Sequence, residues 1–116
     1  GDRPRMTVAR SADGGSTWGA PETVVSAKPM GHLALAPLDA GFALSWLEAI
    51  EGGSELRLAR LEGSGKPGPS LAIARPGPGR SAGIPRLAAT GKHVALLWVD
   101  STTPNGSSLR FATQTP

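Results

Sequence analysis

Apolar residues alternate with polar ones in short runs along this chain, and each run stops at a glycine, a proline or a small polar cluster. A period of two over four to eight residues, bounded by turn formers, is the pattern of a β-strand. Nine such segments can be drawn: Thr7–Ser11, Glu22–Val25, Leu33–Leu38, Phe42–Leu47, Glu55–Leu61, Ser70–Ala74, Ile84–Ala89, Val94–Val99 and Ser108–Gln114. Phe42–Leu47 is apolar on both alternate faces, with Phe42, Leu44 and Trp46 on one and Ala43 and Leu47 on the other. A strand of that kind is expected to be covered from both sides.

The segments also repeat. Met6-Thr7-Val8-Ala9-Arg10, Leu56-Arg57-Leu58-Ala59-Arg60 and Leu109-Arg110-Phe111-Ala112-Thr113 align with their alanines 50 and 53 residues apart. Independently, Gly41–Glu48 aligns with His93–Asp100, with Trp46 and Trp98 separated by 52 residues. A period near 50 belongs to one propeller blade among repeat architectures. Reading each repeat as strands A to D gives CD, then ABCD, then ABC. The chain divides accordingly into 1–28, a half blade, 29–76, a full blade, and 77–116, an incomplete one. The Pro-Gly stretches Gly63–Pro69 and Arg75–Gly83 fall at the connections and read as turns and linkers.

Between the first two strands stands Ser11-Ala12-Asp13-Gly14-Gly15-Ser16-Thr17-Trp18. Ser and Asp side chains accept hydrogen bonds from backbone N–H groups a few residues on, and paired glycines supply the positive φ angles of a tight hairpin. A turn is therefore expected at 13–16, with Thr17 and Trp18 restarting an extended segment and the indole covering the turn. Ser11, Asp13, Gly15, Thr17 and Trp18 match every defined position of the Asp-box, S-x-D-x-G-x-T-W, and by it the chain resembles the sialidase and BNR-repeat β-propellers. The resemblance implies an all-β fold, a partial β-propeller of sialidase type with about two to two and a half four-stranded antiparallel blades. It also implies that the box is structural, on an outer-rim hairpin away from the ligand face. In the second repeat the corresponding turn, Arg60–Lys66, keeps glycine and has lost Asp, Thr and Trp.

Catalysis finds little support. Sialidases use a tyrosine nucleophile assisted by a glutamate, an aspartate acid/base and three arginines that clamp the substrate carboxylate; this chain has no tyrosine. The Arg-Ile-Pro signature of the first clamp arginine is absent too, and Ile84-Pro85-Arg86 runs in the wrong order. Glu48 and Asp100 stand two residues after the strand B tryptophans, where carboxylates at strand ends face either a ligand or solvent. The segments 48–54 and 100–107, joining B to C, are expected to be exposed variable loops of polar, hydroxyl-rich content suited to carbohydrate. Glu48, Asp100, Thr103, Asn105 and Arg86 are the candidate binding residues.

Composition narrows the remaining classes. The 116 residues suffice for one domain but not for a closed propeller of four to eight blades, so the partner expected first is the remainder of a longer propeller chain. A formal charge of +3 and a sequence pI near 10.2 invite a nucleic-acid reading. The basic residues are scattered singly, however, and the aromatic-basic interleaving of single-strand binders is missing. Without cysteine there is neither disulfide nor thiolate metal site. His32 and His93 have no ligand at metal-binding spacing, and no cofactor motif is present. The longest apolar stretch, His32–Ile50, is interrupted by Pro37 and Asp39, which leaves no membrane span. No signal peptide is visible and Gly1-Asp2-Arg3-Pro4 reads as an expression remnant or a processed start. The expectation is a non-catalytic structural or glycan-binding segment of a secreted or periplasmic protein, with a fragment of an exo-sialidase-type hydrolase whose catalytic residues lie elsewhere as the alternative.

Overall fold

The computed structural model describes residues 5–24, 28–62, 69–76, 85–103 and 106–114, and among them every regular element is a β-strand. The strands are β1 (Met6–Val8), β2 (Glu22–Val24), β3 (Pro29–Leu38), β4 (Gly41–Ile50), β5 (Gly53–Glu62), β6 (Leu71–Ala74), β7 (Arg86–Thr90), β8 (His93–Thr103) and β9 (Gly106–Gln114). All pairing is antiparallel and follows chain order, giving the sheets β1-β2, β3-β4-β5-β6 and β7-β8-β9. The chain is all-β, and no sheet closes on itself among the described residues.

Each predicted strand has a counterpart, but the limits moved. The B and C strands of the second repeat run up to a two-residue turn at Glu51-Gly52, where Gly52 takes φ 84°, because a tight hairpin lets the ladder continue to its last residues. Ala49 pairs with Ser54 and Ile50 with Gly53, so the segment 48–54 is ladder and not an open loop. In the segment 100–107, Asp100 pairs with Ser108 and Thr103 with Gly106 with a register shift between them, while 104–105 lie outside the described residues. Strand A of the second repeat begins at Pro29, four residues earlier than Leu33, and accommodates the extra length by register shifts around Gly31 and His32, which has φ 53°. Conversely, β1 is shorter than Thr7–Ser11, and Thr17-Trp18 does not restart a strand, since β2 begins only at Glu22. The box loop holds Thr17 too tightly for it to join a ladder.

Two apolar layers flank the central sheet. On one face Ala43, Leu47, Leu56 and Leu58 pack with Val94, Leu96 and Trp98 of the third sheet. On the other, Leu44, Trp46, Ala59 and Leu61 pack with Met6 and Val24 of the first. The cross-strand pairs Leu47/Leu56 and Leu44/Ala59 fix which residues share a face, so one strand serves both layers. Trp46 and Leu61 have no exposed surface and Leu58 only 1 %. Phe42 departs from the expected pattern: although on the same face as Leu44, it is exposed, because the first sheet reaches over β4 and β5 but stops short of that corner. Bonds from the Asp39 amide to the Gly91 carbonyl (2.9 Å) and from the Arg60 guanidinium to the Lys92 carbonyl (3.2 Å) tie the β7–β8 turn to the β3–β4 turn and to β5.

Candidate functional site

With the β3–β4 and β7–β8 turns joined at one end of the stack, the β4–β5 and β8–β9 hairpins must both lie at the other. Glu48, Asp100 and Thr103 sit toward that end. Glu48 is half-buried on β4, opposite Glu55 of β5. Asp100 occupies the equivalent position on β8, opposite Ser108, and Thr103 closes the β8–β9 ladder opposite Gly106. Arg86 opens β7, opposite Leu97, and is exposed. Asn105 lies outside the described residues. Glu48 and Asp100 are thus mid-ladder residues of two different sheets, not strand ends, because β4 and β8 extend past them.

A charged cluster that the sequence reading passed over adjoins Glu48. Glu55 is only 8 % exposed yet carries a carboxylate, and a buried charge needs partners. It has two. One carboxylate oxygen accepts from Arg57 Nη1 and the other from Arg75 Nε at 3.4 Å. Arg57 is itself held to the residue that precedes β6, its Nε donating to Ser70 Oγ at 2.9 Å and its Nη2 to the Ser70 carbonyl at 3.3 Å. Glu55 and Arg57 share a face because they are two apart on a strand, and that spacing was the signal available in the sequence. With both oxygens engaged by guanidinium groups, Glu55 is a fixed acceptor that ties β5 to the segment after β6.

The box between β1 and β2 is geometrically complete. Ser11 Oγ donates to Asp13 Oδ1 (2.8 Å) and accepts from the Gly15 amide (2.8 Å), while the Thr17 amide donates to Asp13 Oδ1 (2.9 Å) and Thr17 Oγ1 to Asp13 Oδ2 (2.6 Å). Gly14 and Gly15 adopt φ 72° and 97°, as the turn requires. The Gly19 amide closes the loop on the Arg10 carbonyl at 2.8 Å. The Thr17 hydroxyl and amide, with Ser11, hold the Asp13 carboxyl down at about 2, from an ordinary 3.8. Trp18 lies beside Gly15 with most of its surface in solvent. Both Asp13 oxygens and the Ser11 hydroxyl are thus engaged within the loop itself.

No group of three or more His, Cys, Asp or Glu side chains suited to a metal ion occurs among the described residues. Likewise no helix among them is long and apolar enough to cross a membrane. Comparison with protein-family models, with curated proteins and with solved structures returned no match.

Proposed function

We propose that this chain is a segment of an Asp-box, sialidase-like β-propeller, serving a larger secreted or periplasmic protein as a non-catalytic structural or glycan-binding part. The observation that carries the reading is the stacking of successive sheets in step with the sequence repeat. Trp46 and Trp98, 52 residues apart, occupy equivalent positions on β4 and β8, and the two sheets that hold them pack face to face. Face-to-face packing of meandering antiparallel sheets at a constant repeat is how propeller blades follow one another. The self-satisfied box between β1 and β2 supports a structural role for that motif, and the occupied carboxylate of Glu55 supports a role without catalysis.

Glycan recognition would draw on the candidate residues Glu48, Asp100, Thr103, Asn105 and Arg86, whose residue types carry carboxylate, hydroxyl, amide and guanidinium groups. A glycan array probed with the intact chain tests it. Binding that weakens in Asp100→Asn and Thr103→Ala, without loss of thermal stability, is the expected result. A blank array leaves the structural role alone. For the whole polypeptide, a reading frame that encodes a tyrosine with a neighbouring glutamate and an Arg-Ile-Pro motif outside these residues would replace the non-catalytic reading by the hydrolase one.

A further inference from the structure

The 52-residue repeat makes the two sheets comparable residue by residue. Leu87 on β7 pairs with Leu96 on β8, and Leu35 on β3 pairs with Leu44 on β4 in the same register. Val94 is the counterpart of Phe42, and Pro85 of Leu33. Their environments are not the same. Val94 and Leu96 are each 2 % exposed, Pro85 is buried and Leu87 packs against the core, because Ala43, Leu47 and their neighbours on the central sheet lie over them. Leu33, Leu35 and Phe42 are 57 %, 56 % and 40 % exposed. Leu33 and Leu35 border an apolar trough of about 300 Å³ between β1 and β3, lined also by Met6, Val8 and Leu44.

The trough ends at a strand with one unpaired edge among the described residues. In the other two sheets the C strand has a B strand on one side, β4 beside β5 and β8 beside β9; β1 pairs with β2 alone among the described residues. We propose that the trough and the free edge of β1 together are the docking site of an antiparallel β-hairpin whose inward face carries aliphatic residues, supplied by a partner polypeptide segment. Its second strand adds to β1 through backbone hydrogen bonds, and its first lies along β3 over Leu33 and Leu35. The chemistry follows from the existing interface: the central-sheet face that packs on Val94 and Leu96 carries Ala43, Leu47, Leu56 and Leu58, so the face that covers Leu33, Leu35 and Phe42 carries aliphatic side chains of the same kind. A second copy of this chain is a poor occupant, because its β7-β8-β9 sheet would bring β9 onto the place that β1 already holds. The inference rests on the stacked-sheet reading of the preceding section.

The probe is this chain's own β3–β4 hairpin. A peptide of residues 29–50, titrated into the isotopically labelled intact chain, should produce saturable shifts at β1, Leu33 and Leu35 and slow the exchange of β1 amides. Leu35→Glu, at a side chain already half in solvent, should weaken binding at least tenfold while leaving the unfolding temperature unchanged; Leu71→Glu, exposed on β6, should leave binding intact. Since a lone hairpin is only marginally stable, the same 22 residues fused ahead of the chain through a Gly/Ser linker provide the second measurement. The fusion should unfold at higher temperature and bind less of an apolar fluorescent dye than the chain with the linker alone. The proposal is overturned if the fusion shows neither change, if binding survives Leu35→Glu, or if the chain self-associates through this face in a way that Leu35→Glu abolishes. Hairpin docking without glycan binding would remove only the carbohydrate role, and glycan binding without hairpin docking would remove only this site.

Discussion

Leu58 and Leu61 stand three residues apart on β5, and the three-layer packing requires that truncating either one be costly for a different reason. Leu58 is 1 % exposed among Leu47, Val94 and Leu96, while Leu61 is fully buried with Leu44, Trp46 and Val24. Replacing a buried leucine by alanine forfeits its transfer free energy and leaves a partly unrelaxed cavity, together about 2–5 kcal/mol. Against a total stability of about 5–15 kcal/mol for an ordinary domain, each loss is large. Taking about 3 kcal/mol and a urea dependence of about 1.5 kcal/mol per molar, each unfolding midpoint should fall by about 2 M. The two residues belong to separate clusters, so the double variant should lose the sum to within about 0.5 kcal/mol. Equilibrium urea unfolding followed by tryptophan emission reads this directly, because Trp46 reports one layer, Trp98 the other, and Trp18 is largely in solvent. A cost below about 1 kcal/mol for either single variant would show that β5 is covered on one face only and would refute the layered packing.

Three further outcomes are expected. Ser45 is completely buried with its Oγ lacking a partner, so Ser45→Ala should raise stability by about 1 kcal/mol, and a loss of similar size in urea unfolding would mean that the hydroxyl is satisfied. Because the folded box lowers the Asp13 carboxyl from 3.8 to about 2, its contribution is complete above pH 3.8 and disappears as the pH falls through about 2. The Thr17 amide resonance should accordingly shift with a midpoint near 2, and a midpoint at the ordinary aspartate value would show that the loop bonds are absent in solution. The chain should not hydrolyse a fluorogenic sialoside, having no tyrosine; turnover that is lost in Glu48→Gln or Asp100→Asn would make those carboxylates catalytic.

The strands were legible because what specifies them is local. Apolar residues on both faces of Phe42–Leu47 and the turn formers on either side place β4 without knowledge of any neighbour, and the box loop follows from the Ser11, Asp13 and Thr17 side chains, which bond one another and the loop amides. Lengths were less legible, since the pairing of Ala49 with Ser54 depends on how tightly Glu51-Gly52 turns and not on the polarity of the residues beside it. The Glu55 cluster shows a different obstacle: Arg57 can be inferred from its place two residues along the strand, but Arg75 and Ser70 arrive from beyond a long Pro-Gly connection. Layer number is the hardest quantity to read. Leu35 and Leu87 share register, residue type and strand position, yet the first is 56 % exposed and the second packs on a core cluster. Nothing in either heptapeptide around them encodes that contrast, because burial is conferred by the sheet lying opposite. The repeat supplies the missing term: once Leu87 shows what a leucine in this register meets, an exposed Leu35 marks the face where a layer of the same kind is still to be placed.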